Sequence, residues 1–123
     1  MAGVKTTFLD VDPLIAKLRD RTQDLLAKEP AVLEVSLFGS FVKGNYCPGS
    51  DADLLVILKE DDRRFIDRIP AFLVWFSGVG VPVDVFPYTV EEIEDMKDSG
   101  LVKTALAERL VLARRDESSG KQL

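Results

Sequence analysis

The chain has 123 residues, enough for one hydrophobic core but not for two. Its 16 basic and 21 acidic residues are mixed along the sequence and give a formal net charge of −5. Nucleic-acid backbones are bound by basic surfaces, so we do not expect direct nucleic-acid binding without a partner protein. The chain contains no histidine, which excludes histidine-based catalysis, Ser-His-Asp triads and most zinc sites.

Cysteine content and the N-terminal sequence predict the compartment. Cys47 is the only cysteine, which excludes an internal disulfide and indicates a reducing compartment. The segment from Met1 to Asp10 has neither the basic start nor the apolar stretch of a signal peptide. No apolar run approaches the roughly 20 residues that cross a bilayer. We therefore predict a cytoplasmic protein that does not bind membranes.

The first half of the chain predicts a helix, a strand and a short helix. Asp12 followed by Pro13 is typical of a helix start, and this helix should end before Pro30. The apolar run Val32–Phe38 predicts a strand. A turn follows, and Ser40–Lys43 could form a short helix.

Glycine and proline residues separate the elements that come next. Gly44–Ser50 predicts a loop, and the nearly continuous apolar run Ala52–Leu58 predicts a strand covered on both faces. Arg63–Phe76 has helical apolar spacing, although Pro70 should kink or split that helix. Val81–Phe86 predicts a third strand, and its early proline indicates an edge strand.

The last third of the chain predicts two helices and a strand. Thr89 and Glu92 form a capping box, so a helix should begin there. Further elements are expected at Leu101–Ala107, a helix, and Arg109–Ala113, a strand. We predict one domain over 1–115 with a frayed tail at 116–123. The element order indicates an α/β or α+β fold with a small mixed sheet and flanking helices.

Three aspartates carry the chemical signal. Asp51 and Asp53 open the second predicted strand, and Asp84 lies inside the third. Residues two apart on a strand face the same way, with Cα atoms roughly 6.5 Å apart. If the strand of Asp84 lies beside that of Asp53, all three carboxylates converge.

Three converging carboxylates need a counter-charge. Two ionised carboxylates about 5 Å apart repel by about 3 kcal/mol at an effective dielectric near 20. Three such pairs would cost about 10 kcal/mol, comparable with the stability of a small domain. Either the acids take up protons or a cation neutralises them, and Mg²⁺ prefers such oxygen ligands. The sequence therefore predicts a metal–nucleotide site.

Other interpretations of these residues stay open at this point. Asp51 and Asp53 could cap a turn without any metal, and Asp84 could pair with an arginine such as Arg68 or face solvent on an edge strand. Lys43 could be plain surface charge.

The Gly39-Ser40 turn predicts a phosphate site. Glycine lets the backbone approach a phosphate closely, and a following helical turn directs free N–H groups at the anion. The Ser40 hydroxyl adds a donor, and Lys43 lies one turn later, where its ammonium could reach the same oxygens.

The stretch from Gly39 to Leu54 resembles the Gly-Ser-x-x-x-Gly…Ser-Asp-x-Asp-Leu signature of the minimal nucleotidyltransferases, in the DNA polymerase β superfamily. The resemblance implies that fold and a two-metal transfer of a nucleoside monophosphate, with pyrophosphate leaving. Asp51 and Asp53 would hold both Mg²⁺ ions, and Asp84 only the ion that activates the acceptor. It also implies nucleotide binding by a second set of residues, Gly39, Ser40, Lys43 and Ser50.

The resemblance also implies a donor and a partner. The donor would be a nucleoside triphosphate, ATP, and the acceptor a macromolecule. Small members of the superfamily pair with helical proteins of the HEPN type in toxin–antitoxin modules, which implies an antitoxin that modifies its toxin. The family often has alanine and arginine where this chain has Val42 and Lys43. Lysine lacks the bidentate fork of arginine, so the alternative is a weakly catalytic module that neutralises its partner by binding.

Overall fold

The structure is a computed structural model that describes residues 12–47 and 49–116. The expectations for the N-terminal segment and for the tail beyond 116 lie outside these residues. Five α-helices are described: α1 (Asp12–Lys28), α2 (Ser40–Lys43), α3 (Phe65–Leu73), α4 (Val90–Met96) and α5 (Gly100–Glu108). Four strands are described: β1 (Val32–Phe38), β2 (Ala52–Leu58), β3 (Val83–Thr89) and β4 (Leu110–Arg114).

The strands form one mixed sheet in the order β3-β2-β1-β4. β1 is antiparallel to β2 and β4, whereas β2 and β3 are parallel. β2 is therefore interior, which explains its continuous apolar sequence. The predicted small mixed sheet with flanking helices is confirmed.

Helices cover both faces of the sheet. On one face, α1 and α3 bury the main core, which includes Leu18, Leu25, Leu37, Leu54, Val56 and Phe72. On the other face, α5 packs Ala105 against Phe38 and Leu55. Residues directly opposite across a strand pair share a face, so Phe38, Asp53 and Asp84 all lie on the α5 face. None of the described helices has the combination of length and apolar character needed for a membrane span.

Two proline-based boundaries differ from the sequence prediction. β3 runs over Val83–Thr89 rather than Val81–Phe86, and it continues through Pro87 because it is an edge strand that needs no outward N–H. Pro70 lies inside α3 without splitting it, and the helix changes to a 3₁₀ turn only after Leu73. The capping box of Thr89 and Glu92 is confirmed.

Candidate active site

Strand register brings the three aspartates together. Asp53 and Asp84 are direct partners in the parallel β2–β3 pair, and Asp51 precedes β2 by one residue. Although the apolar runs predicted buried strands, Asp51 and Asp84 are exposed and only Asp53 is half-buried.

The three carboxyl groups interact electrostatically. Loss of hydration raises the pKa of Asp53 above its usual range, and the neighbouring charges of Asp84 and Asp51 raise it further. The pKa of Asp84 is also raised, although the residue as a whole is exposed. Loss of hydration at its carboxyl is the largest cause, followed by a side-chain hydrogen bond and the charge interaction with Asp51. Negative charge is therefore concentrated at the β2–β3 end of the sheet.

The donor set at this position fits a hard divalent cation, because it consists of carboxylate oxygens that compete for a counter-charge. The carboxyl groups do not form a closed cage: within 12–47 and 49–116, no group of three His, Cys, Asp or Glu side chains is already placed to hold a metal ion. An open arrangement of this kind is expected where water and substrate phosphates complete the coordination of Mg²⁺.

Gly39 lies against this acidic cluster. Its φ of +87° and ψ of −150° belong to a backbone region that is essentially restricted to glycine. A Cβ atom at this position would lie 2.6 Å from Asp53 Oδ2. The absence of a side chain therefore allows the β1–α2 turn to pass directly beside the Asp53 carboxylate, whereas the sequence predicted a close approach to a phosphate.

The first turn of α2 is left open. The residue at its N-cap is Gly39, which has no side chain to accept a hydrogen bond from the first turn. Gly44 ends the helix in the left-handed conformation, with its N–H donated to the carbonyl of Ser40. The leading N–H groups of such a turn have no intrahelical partner and are available to an anion.

Lys43 lies on a groove rather than directly over the acids. A groove of about 660 Å³ separates α2 from α5, and we call it the α2–α5 groove. Gly39 and Lys43 line one wall, and α5 lines the other with Lys103, Thr104 and Glu108 among its residues. The Lys43 ammonium lies 3.3 Å from Glu108 Oε2, across the groove. Lys43 is half-exposed and paired with Glu108, and its proposed role at the phosphates stays a prediction.

Ser50 has a local role in the loop. Its hydroxyl accepts a hydrogen bond from the Cys47 N–H at 2.9 Å, and its own N–H donates to the Cys47 carbonyl at 2.9 Å. These bonds fix the turn that leads the chain into Asp51.

The family model described as a nucleotidyltransferase domain matches residues 15–112. The chain belongs to this family. This match confirms the family that the Gly-Ser and Asp-x-Asp motifs predicted.

One known protein with a similar sequence is much longer than this chain. It is 32% identical over 110 residues to the bifunctional uridylyltransferase/uridylyl-removing enzyme of Burkholderia thailandensis. That match covers 83% of this chain and 13% of the other, so the chain spans only a small part of that relative.

Two solved structures share the fold. A proposed nucleotidyltransferase from Sulfolobus solfataricus superposes with a TM-score of 0.63 at 20% identity, covering 85% of this chain and 83% of the other. A toxin–antitoxin structure with AMP-PNP gives 0.51 at 17% identity, covering 83% and 77%. At these identities the likeness supports the fold alone.

Arg68 does not serve the nucleotidyltransferase site. Its guanidinium is buried and donates to both carboxylate oxygens of Glu92, at 2.7 and 3.1 Å. It also donates to the carbonyls of Asp61, Arg63 and Pro87. The alternative that paired Arg68 with Asp84 is therefore wrong, while the alternative that placed Asp84 in solvent on an edge strand agrees with its exposure.

Sequence reasoning missed the α5 wall of the site. Most of the α5 residues that line the groove recur at the three- and four-residue spacing of one helix face: Gly100, Lys103, Thr104, Ala107 and Glu108. That spacing is visible in the sequence, but it is equally typical of a solvated helix surface. Only the packing of Ala105 onto Phe38 and Leu55 shows that the polar face borders the Gly39 turn.

Proposed function

We propose that this nucleotidyltransferase transfers a nucleoside monophosphate from a nucleoside triphosphate, with ATP as donor, to a hydroxyl group of a macromolecular acceptor. The acceptor oxygen forms a bond to the α-phosphorus while the bond to the pyrophosphate oxygen breaks. The hydroxyl proton leaves to solvent. The observation that carries the proposal is the register pairing of Asp53 with Asp84 beside the side-chain-free Gly39.

In this proposal the aspartates hold two Mg²⁺ ions. Asp51 and Asp53 would contact both ions, and Asp84 only the ion nearest the acceptor. When bound, Mg²⁺ stabilises the charge that develops on the attacking and leaving oxygens. The raised pKa values of Asp53 and Asp84 support this assignment, because carboxylates that repel one another gain most from a cation.

The turn after β1 would hold the phosphates. Gly39 has no side chain to obstruct the approach to the first turn of α2, and Ser40 would add its hydroxyl. Lys43 would supply charge from the groove side. Ser50 would contribute mainly by shaping the turn before Asp51, because its hydroxyl is bonded to the loop backbone.

The similar proteins bear on the base of the donor and on the acceptor. The toxin–antitoxin neighbour was solved with AMP-PNP, which favours ATP, whereas the Burkholderia relative is a uridylyltransferase. The same neighbour is a toxin–antitoxin structure, which supports a protein partner. From the resemblance of the motifs we propose that this partner is a small helical toxin of the HEPN type, and from the single cysteine that both act in the cytoplasm. The rival function is a partner-binding module that retains the nucleotide site and neutralises the toxin by contact alone.

A labelling experiment separates these functions. The protein, Mg²⁺ and the product of the adjacent gene are incubated with ATP or UTP labelled at the α-phosphate. We expect label on the partner with ATP, and none with Asp53→Asn. If the unaltered protein and Asp53→Asn both neutralised the partner without labelling it, the partner-binding function would be supported and transfer would be contradicted. Transfer from UTP in preference to ATP would correct the donor but keep the reaction.

A further inference from the structure

The α2–α5 groove is continuous with the acidic cluster. Gly39 lines the groove and also lies against the Asp53 carboxylate. A nucleotide whose α-phosphate lies at the aspartates can therefore extend past Gly39 into the groove. The volume of about 660 Å³ lies within the range of roughly 300–1,000 Å³ that is usual for small-molecule sites.

α5 has one face in the core and one face on the groove. Val102 and Ala105 are almost fully buried, at 1% and 0% exposure, and hold the helix on the sheet. Lys103 and Thr104 are exposed and lie on the groove. Their side chains are therefore not committed to packing, and an ammonium and a hydroxyl face the wall that carries Lys43.

Glu108 restrains Lys43 across the groove. One carboxylate oxygen, Oε2, lies 3.3 Å from the ammonium. The other, Oε1, is buried, and no hydrogen-bond partner for it exists among the residues that the structure describes. A half-satisfied carboxylate with a half-exposed lysine is a weak ion pair, so a phosphate with several anionic oxygens would compete well for the lysine.

We propose that α5 forms the second wall of the nucleotide site, with Lys103 binding the triphosphate opposite Lys43. Glu108 holds Lys43 until a phosphate of the nucleotide takes the place of the Glu108 carboxylate. This inference rests on the proposed function, since it assigns further residues to the same nucleotide. It makes α5, rather than the Gly-Ser turn alone, a determinant of affinity for the triphosphate.

The test is calorimetric titration of the full chain with ATP, and separately with UTP, each with Mg²⁺. The variants are Lys103→Ala, Glu108→Gln and Lys17→Ala. Lys17 is an exposed lysine on α1, on the opposite side of the sheet, so its variant removes the same charge away from the groove. Thermal unfolding checks that each variant is folded.

We expect Lys103→Ala to weaken nucleotide binding by about tenfold, the effect of one charge-assisted contact. Glu108→Gln should strengthen binding by about threefold, because Lys43 is released, and Lys17→Ala should leave affinity within about twofold. Equal affinities for Lys103→Ala and Lys17→Ala would overturn the α5 assignment while the proposed function stood. Absence of nucleotide binding by the unaltered protein would overturn both.

Discussion

Gly39 and Asp53 approach so closely that a methyl group on the glycine would lie 2.6 Å from the carboxylate oxygen Oδ2. The contact joins the β1–α2 turn to the β2 strand at the position where the acids meet. It explains why this turn requires glycine for two independent reasons, a backbone conformation that other residues avoid and a lack of space.

Gly39→Ala should therefore abolish nucleotidyl transfer and destabilise the fold. Backbone strain of this kind costs on the order of 1–3 kcal/mol, and displacement of the Asp53 carboxylate adds to it. Gly44→Ala is the control for a positive φ without a collision, because Gly44 has a φ of +86° in the milder left-handed region and no atom within 4 Å of an added Cβ. Chemical denaturation measures the stability of both variants, and the initial rate of transfer measures their activity. Equal losses of stability and activity would show that strain alone, without the collision, explains the effect.

Asp53→Asn should stabilise the metal-free protein at neutral pH. The folded-state pKa of Asp53 is raised, so the native state binds this proton more tightly than the unfolded chain does. Its ionisation therefore costs stability as the pH rises from about 4 through the folded-state pKa. Asparagine does not ionise, so the variant avoids this loss of stability. In a chelator at pH 8, the unfolding temperature of Asp53→Asn should therefore lie a few degrees above that of the unaltered protein.

The comparison at low pH and with metal completes this test. Below about pH 4 both proteins hold a neutral group at position 53, and their unfolding temperatures should converge. Added Mg²⁺ should raise the unfolding temperature of the unaltered protein but not of Asp53→Asn. A variant that gained as much from Mg²⁺ as the unaltered protein would contradict a metal role for Asp53.

The sequence predicted the strands of the site but not their contacts. The bounds of β1 and β2 were predicted as Val32–Phe38 and Ala52–Leu58, because apolar runs between turn residues mark buried strands. The pairing of Asp53 with Asp84 was conditional, because adjacency of two strands depends on a crossover that local patterns do not determine. The structure supplies that step through the parallel β2–β3 ladder.

The remaining errors have physical causes. β3 was predicted as Val81–Phe86 from its apolar run, and the edge position indicated by Pro82 is confirmed. The strand continues through Pro87 because an edge strand needs no outward N–H at that position. The α5 wall was missed because a polar helix face on a groove has the same pattern as one in solvent. Lys103 and Lys43 become neighbours of one groove only after the helix has packed.

Asp84→Asn should separate nucleotide binding from transfer. Asp84 is proposed to hold only the ion that activates the acceptor, so its loss should reduce transfer by about 100-fold or more. The affinity of Asp84→Asn for ATP with Mg²⁺ should change little. Asp53→Asn, in contrast, should lose both nucleotide binding and transfer. Initial rates and calorimetric titration measure the two effects. Glu91→Gln, which removes an exposed acid from α4, is the control and should alter neither. A parallel loss of binding in Asp84→Asn would assign Asp84 to both ions.

Arg68→Met should destabilise the protein by about 2 kcal/mol without affecting the site, because it leaves the buried Pro87 carbonyl without its donor and removes the cation that pairs with the half-exposed Glu92. The Arg68 hydrogen bond is the main cause of the lowered pKa of Glu92. A lowered pKa stabilises the fold above the unfolded-state value, near 4.3, and this stability is lost as the pH falls through the folded-state pKa. The gap in unfolding free energy between the two proteins should therefore shrink from pH 7 to pH 3.

Arg64→Ala, which breaks an exposed pair with Asp67, should cost under about 1 kcal/mol. A change in Mg²⁺ affinity in Arg68→Met would instead link Arg68 to the aspartates.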